Sequence, residues 1–259
     1  MNQENRRKFL IDALLREHPS HARPEIPADA QAQKDLLRGL MNVRPPSPVS
    51  PDFLKVQDDY LQQALAQKKI TRLSDLRPVQ EGVYLWRGDI TTLACGAIVN
   101  AANSGMTGCY QPCHACIDNC IHTYAGMQLR LKCAEIMEQQ GFEEPTGRAR
   151  ITPAYNLPCD YVIHTVGPIV QGPLHARHCK QLESCYRSCL TLADEHHVGS
   201  IAFCCISTGV FRFPNERAAQ IAVQTVHTYQ AQTGSEIEVI FNVFGERDER
   251  IYRELLAAD

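Results

Sequence analysis

From about residue 72 onward, short runs of continuously apolar residues alternate with stretches whose apolar positions recur at helical spacing. No other feature constrains the fold as much. Val83-Tyr84-Leu85-Trp86, Ala97-Ile98-Val99, Ile201 to Ile206 and Ile237 to Phe244 read as strands. Ala149 to Tyr155 and Tyr161 to Thr165 read as two more, joined by a turn at Asn156-Leu157-Pro158. Ile117 to Gln140 reads as one helix closed by Gly141. Helical spacing returns in Leu182, Cys185, Tyr186, Cys189, Leu190 and Ala193, and again in Ala218, Ile221, Ala222, Thr225, Val226 and Tyr229. A short helix through Ile251 and Leu255 ends the chain. A strand apolar at every position has no face to give to water, so both of its faces need covering. The expected class is therefore α/β, a mixed central sheet with helices on both sides.

In such sheets ligands collect beyond the carboxyl ends of the strands. That rule selects five segments: Arg87 to Thr91, Asn100 to Cys116, Gly167 to Gly172, Ser207 to Pro214, and the surroundings of Phe244.

Residues 1–70 follow a different pattern. One helix is expected over roughly 5–17 and a second over roughly 28–42, the latter ending before Arg44-Pro45-Pro46-Ser47-Pro48. Ser50 looks like an N-cap with Pro51 at the first helical position. Phe53, Leu54, Tyr60, Leu61, Ala64 and Leu65 are available for the apolar face of a third helix. The expected organisation is a helical N-terminal extension, 1–70, carried by a main domain, 71–259.

The bulk numbers exclude some functions. With 26 basic and 29 acidic residues the formal charge is -3, which argues against a protein that grips nucleic acid with a broad basic surface. An anionic small ligand stays open, because backbone amides bind phosphate without adding charge. No apolar run of about 18 residues suggests a membrane span. The amphipathic, charged start lacks a secretory signal's apolar core, so a cytoplasmic location is expected. Twelve cysteines are many, but a chain of 259 residues with 44% hydrophobic residues does not depend on disulfides. Most of them, such as Cys185, Cys189, Cys204 and Cys205, read as small buried hydrophobes. The cluster from Cys109 to Cys120 is the exception.

Taken singly, the loop motifs are weak. Ser207-Thr208-Gly209-Val210-Phe211 lies between a buried strand and a helix, a place where backbone N–H groups can converge on a diphosphate. It has no Gly-Lys-Ser/Thr, which argues against a P-loop nucleotidase. Asp89 could accept from an amino group such as that of adenine, or it could simply cap a turn. Asn100-Ala101-Ala102-Asn103 sets two amides around two small residues, leaving groups that can hold hydroxyls.

Together, Gly88-Asp89-Ile90-Thr91, Val99-Asn100-Ala101-Ala102-Asn103, His164-Thr165-Val166-Gly167-Pro168 and Ser207 to Pro214 resemble the macrodomain family in order and spacing. The resemblance spans about residues 80–259. It implies a macrodomain-like three-layer α/β/α sandwich with an ADP-ribose site. In that site Asp89 would bind the adenine amino group, with Ile90 assisting through its backbone. Ser207, Thr208, Gly209, Val210 and Phe211 would wrap the diphosphate. Asn103 would face the distal ribose, and Phe244 would lie near the adenine.

Cys109, His114 and Cys116 form C-x4-H-x-C, a set of soft and borderline ligands that suits zinc. Three protein ligands with a vacant fourth position describe a catalytic zinc, one per chain. Cys113, Cys120 and His122 are near enough in sequence to offer a closed structural site instead. Cys120 and His122, however, fall about 100° per residue from their helical neighbours, so they do not both point where Cys116 points. The segment looks like that of the zinc-dependent macrodomains, whose members often carry a helical N-terminal extension. Asp118, two residues beyond Cys116, reads either as a helix-start aspartate or as the group that orients or deprotonates a water.

The resemblance implies a zinc-dependent hydrolase that removes mono-ADP-ribose from modified protein side chains; the candidate catalytic residues are Asn103, which would position the ribose, and Asp118, the candidate base. Its partners would be ADP-ribose and the mono-ADP-ribosylated protein, with no nucleic acid and no membrane. Two alternatives use the same pocket: a reader that binds ADP-ribose without cleaving it, and a hydrolase of small derivatives such as O-acetyl-ADP-ribose.

Overall fold

A computed structural model describes residues 1–17 and 25–257. Residues 18–24 of the expected N-terminal extension lie outside the described residues.

The chain begins with α1 (Gln3–Glu17), α2 (Ala30–Val43) and α3 (Pro51–Ala66). Asp29 caps α2 by accepting from the Ala32 N–H, and Ser50 caps α3 by accepting from the Phe53 N–H at 3.2 Å. Each such cap satisfies an otherwise orphaned donor and is worth about 1 kcal/mol. Arg44 ends α2 and fixes the proline-rich turn, donating to the carbonyls of Ser47 and Pro48 while pairing with Glu17. Leu10, Ile11, Leu14, Leu37, Met41 and Phe53 form a cluster of their own, which Met127 joins from the main body.

The strands are β1 (Thr71–Arg72), β2 (Pro78–Gln80), β3 (Val83–Arg87), β4 (Leu93–Ala94), β5 (Ala97–Ala102), β6 (Ala149–Pro153), β7 (Tyr161–Val166), β8 (Ser200–Phe203) and β9 (Glu238–Val243). Seven of them form one sheet in the order β2-β3-β9-β8-β5-β7-β6; β1 and β4 pair separately. The five central strands run parallel, and only the edge strands β2 and β6 are antiparallel. The remaining helices are α4 (Ile117–Ala125), α5 (Met127–Gln140), α6 (Ala176–Glu195), α7 (Asn215–Thr233) and α8 (Glu246–Ala257). Helices α4 and α5 cover one face, while α6, α7 and α8 pack together over the other. The expected three-layer sandwich is what forms. Among the described residues no helix is long and apolar enough to cross a membrane.

The structure corrects three boundaries. The expected single helix from Ile117 to Gln140 breaks at Gly126, which adopts φ +96 between α4 and α5. Periodicity does not reveal the break, because glycine's freedom is used here for a tertiary contact. Gln57 of α3 accepts from the Met127 N–H at 2.9 Å, and a Cβ on Gly126 would sit 2.6 Å from the Gln57 side chain. β8 stops at Phe203 rather than Ile206, releasing Cys204 and Cys205 into the start of a loop. β5 runs past Val99 to Ala102, carrying Asn100 into the sheet interior.

Candidate active site at the carboxyl ends of the parallel strands

Because the central strands are parallel, the loops leaving β3, β5, β7, β8 and β9 emerge at one edge of the sheet. All five segments expected from the sequence follow these strands.

After β3, Asp89 caps the short 3-10 turn Ile90–Thr92. One carboxylate oxygen accepts from the Thr91 N–H at 3.0 Å and the Thr91 hydroxyl at 2.6 Å. The other lies 3.4 Å from Lys68 Nζ and stays accessible, with the side chain 43% exposed. Capping and ligand binding are therefore compatible, since each can use a different oxygen. Ile90 is buried beneath. Phe244, just after β9, is 82% exposed and offers a bare aromatic face.

After β8 the chain makes a compact turn. Ser207 adopts φ 65 and Arg212 φ 59; the Phe213 N–H donates to the Ser207 carbonyl at 2.9 Å, and the Arg212 N–H donates to that of Gly209 at 3.0 Å. The Phe211 carbonyl is held by the Val170 N–H of the loop after β7, at 2.9 Å. The N–H groups of Gly209, Val210 and Phe211 find no acceptor among the described residues, and Gly209 and Val210 are exposed. Three free amides in one small turn make a fixed site for an anion. Close approach of the two loops requires Gly167: a Cβ there would lie 2.0 Å from Ser207 Oγ.

After β5 the chemistry moves to side chains. Asn103 donates through Nδ2 to Asp118 Oδ2 at 3.2 Å and to the Gly108 carbonyl at 3.1 Å, and its Oδ1 accepts from the Gly105 N–H at 3.0 Å. Asn100, fully buried, donates through Nδ2 to Asp118 Oδ1 at 2.8 Å. Asp118 in the first turn of α4 thus accepts from two amides, one per oxygen. Burial raises its pKa to about 6, opposed by the Asn100 hydrogen bond, the Arg130 charge and the Asn103 hydrogen bond. From sequence, Asp118 reads either as a helix-start aspartate or as the group that orients or deprotonates a water. The structure places it behind Asn103, 5% exposed, where it orients that amide.

Cys109, His114 and Cys116 converge: their ligand atoms all lie within 4.8 Å of one another, with Cys109 Sγ 3.5 Å from His114 Nδ1. Burial pushes the Cys116 thiol up to about 12, against a hydrogen bond from the Asn119 N–H. In such a place a thiolate forms when a cation replaces its proton, and two thiols with one imidazole fit a borderline-soft divalent ion. The other nearby candidates point elsewhere. Cys113, at φ 53, sends its thiol to the Asp35 carbonyl, and Cys120 lies 3.6 Å from the Arg38 guanidinium.

His122 forms a second close group with Cys133 and His164, all buried. There Asn100 Nδ2 faces His164 Nδ1 at 3.1 Å, so Nδ1 accepts and the proton sits on Nε2, which reaches Thr152 Oγ1 at 3.0 Å. That nitrogen has no lone pair for a metal. Burial lowers the pKa of His164 to about 3, keeping it neutral.

Sequence reading offered Asn100 as an amide free to hold a hydroxyl, whereas the structure buries it against Asp118; that reading missed Asn119, Arg38 and Lys68. Asn100 stands in the same motif as Asn103 and was legible there. Nothing local marks Arg38 or Lys68, because each acts across a long stretch of chain, while the Asn119 side chain donates to the nearby carbonyls of Cys109 and Gln111.

An α/β/α sandwich with an amide-lined anion turn, an exposed aromatic face and an accessible carboxylate at one sheet edge defines a protein that binds a nucleotide-like ligand. The chain belongs to the Macro domain family, whose model matches residues 99–222. A protein-ADP-ribose hydrolase of Treponema medium is 60% identical over 99% of this chain and 100% of its own length. One of Staphylococcus aureus (strain MSSA476) is 48% identical over 98% and 96%. Among solved structures, the Trypanosoma brucei macrodomain in complex with ADP-ribose matches with a TM-score of 0.66 and 29% identity, covering 84% of this chain and 94% of that one. The Oceanobacillus iheyensis macrodomain with ADP matches with a TM-score of 0.62 and 35% identity, covering 71% and 94%.

Proposed function

We propose that this chain is a zinc-dependent protein-ADP-ribose hydrolase that cleaves mono-ADP-ribose from protein side chains in the cytoplasm, with one zinc ion per chain. The observation that carries the reading is the convergence of Cys109, His114 and Cys116 in the loop that begins next to Asn103. The printed activity of the Treponema and Staphylococcus relatives supports it. So does the ADP-ribose in the trypanosomal structure.

Asp89 and Phe244 would hold the adenine, and Ile90 would support it through its backbone. The turn from Ser207 to Phe211 would bind the diphosphate through its free amides. These contacts are the same before and during the reaction, so they anchor the ligand without accelerating the step. Asn103 would position the distal ribose, its amide oriented by Asp118. Water adds at the anomeric carbon, the bond to the protein side chain breaks, and free ADP-ribose and the unmodified side chain leave. A zinc ion held by Cys109, His114 and Cys116 would supply Lewis acidity at the distal ribose.

The test follows release of ADP-ribose from a mono-ADP-ribosylated protein by the enzyme as purified, stripped by a chelator, and restored with zinc. Loss on stripping and recovery with zinc is the expected result. Inactivity in all three states with ADP-ribose still bound would make the protein a reader. Cleavage of O-acetyl-ADP-ribose alone would make it a hydrolase of small derivatives.

A further inference from the structure

The loop carrying the three ligands has no regular secondary structure of its own, yet the ligands are already gathered. An irregular loop holds such a geometry only if other groups fix its peptide units. Here the fixing groups come from α2, more than seventy residues away in sequence.

Arg38 Nη2 donates to the His114 carbonyl at 2.8 Å and to Asn119 Oδ1 at 2.9 Å. Asn42, 1% exposed, accepts from the Cys113 N–H at 2.9 Å and donates to Thr123 Oγ1 at 2.9 Å. The peptide units before Cys113 and after His114 are therefore both tied to one helix. Asn119 completes the frame, donating to the carbonyls of Cys109 at 3.3 Å and Gln111 at 3.0 Å. Helix α2 is fixed in turn by Arg130 of α5, which donates to the carbonyls of Met41, Asn42 and Arg44 at 3.0, 2.8 and 2.6 Å.

We propose that Arg38 and Asn42 are positioning residues of the metal centre, so that the N-terminal helices are part of what holds His114 in ligating geometry. The proposal rests on reading Cys109, His114 and Cys116 as a metal site. Neither residue touches the ion or the reacting atoms. Their effect is exerted through the His114 and Cys113 peptide units and through Asn119. Groups that orient ligands in this way typically change metal affinity by about 10–100-fold.

The test titrates Co²⁺ into chelator-stripped full-length protein, following thiolate-to-cobalt absorption, and then measures zinc affinity by competition with a chromogenic chelator. Arg38→Ala should weaken metal binding by about 10–100-fold. Arg38→Lys, which keeps a donor of the same charge, should recover part of that loss. Arg6→Ala removes an arginine that links α1 to Asp59 and Gln63 of α3; it is the control for loosened helices and should bind metal as the wild type does. At saturating zinc, the Arg38→Ala variant should regain kcat with its KM unchanged. If Arg38→Ala fails to fold, Arg38→Gln and Asn42→Ala are read in the same titration. Equal metal affinity in wild type and the Arg38 variants overturns the positioning role. So does an equal loss in Arg6→Ala. A wild type that takes up no cobalt overturns the metal reading itself, and that result is distinct from the other two.

Discussion

The two halves of the site are built in different ways. The half assigned to adenine and diphosphate is held mainly by local contacts: Asp89 by Thr91 two residues away, and the turn after β8 by its own closure between Ser207 and Phe213, with one tie to Val170. The half assigned to the distal ribose and the metal is assembled across the fold. Asn100 and Asn103 of one segment meet Asp118 of another, while Arg38 and Asn42 reach the metal loop from outside the main sheet. Anchoring a ligand needs only amides and a carboxylate facing the right way. Holding a reacting centre needs each group fixed against all the others, and that demands long-range contacts. The binding half should therefore survive damage to the chemical half, and variants can test that separation.

The largest effect is expected for Cys116→Ala. Turnover should fall by at least about 10³-fold as Lewis-acid stabilisation is lost, while ADP-ribose affinity by calorimetry stays within about threefold. Equal loss of both would merge the two halves and make the metal a structural element. Asn103→Ala should lower kcat by about 10²-fold with little change in KM, because misplacing the ribose costs orientation rather than anchoring.

Gly209→Val probes the binding half. A Cβ at Gly209 meets nothing within 4 Å, so the protein should fold normally while the side chain occupies the space above the free amides. ADP-ribose should bind about tenfold more weakly, with kcat at saturating substrate unchanged. A fall in kcat would show that the diphosphate contacts strengthen during the step.

A pH series sharpens the view of the buried network. Burial holds the folded pKa of His164 at about 3 against the ordinary 6.5 of histidine, so the unfolded chain takes up a proton that the folded chain refuses. Between these values stability is lost as pH falls. The Tm difference between wild type and His164→Gln should therefore shrink as pH drops from 6.5 toward 3. A constant difference would mean that His164 is protonated in the folded state. The smallest effect is expected for Lys68→Ala. Its pair with Asp89 is partly exposed and worth at most about 1 kcal/mol, so KM should change by less than about fivefold and only at low salt.

Alternating apolar runs and helical spacings were enough to name the sandwich, because a strand buried on both faces leaves an unmistakable composition. The segments proposed for adenine and diphosphate could be marked for a similar reason: Asp89 is fixed by Thr91 two residues on, and the turn from Ser207 to Phe213 closes on its own backbone. The convergence of Cys109, His114 and Cys116, the proposed metal ligands, was legible as well, since all three lie within a single short loop.

What depended on distant parts of the chain was decided only in three dimensions. Gly126 breaks a continuous helical pattern because Gln57 docks against it. Asp118 starts α4, and it becomes a support of Asn103 because β5 and α4 bury it between two amides. The N-terminal helices read as an appendage, because nothing around Arg38 or Asn42 says that they will meet residues 113–123. Sequence encodes periodicity, caps and short ligand spacings directly, since these are properties of neighbouring residues. Which distant side chain satisfies a buried carbonyl or amide depends on packing, and packing exists only once the chain has folded.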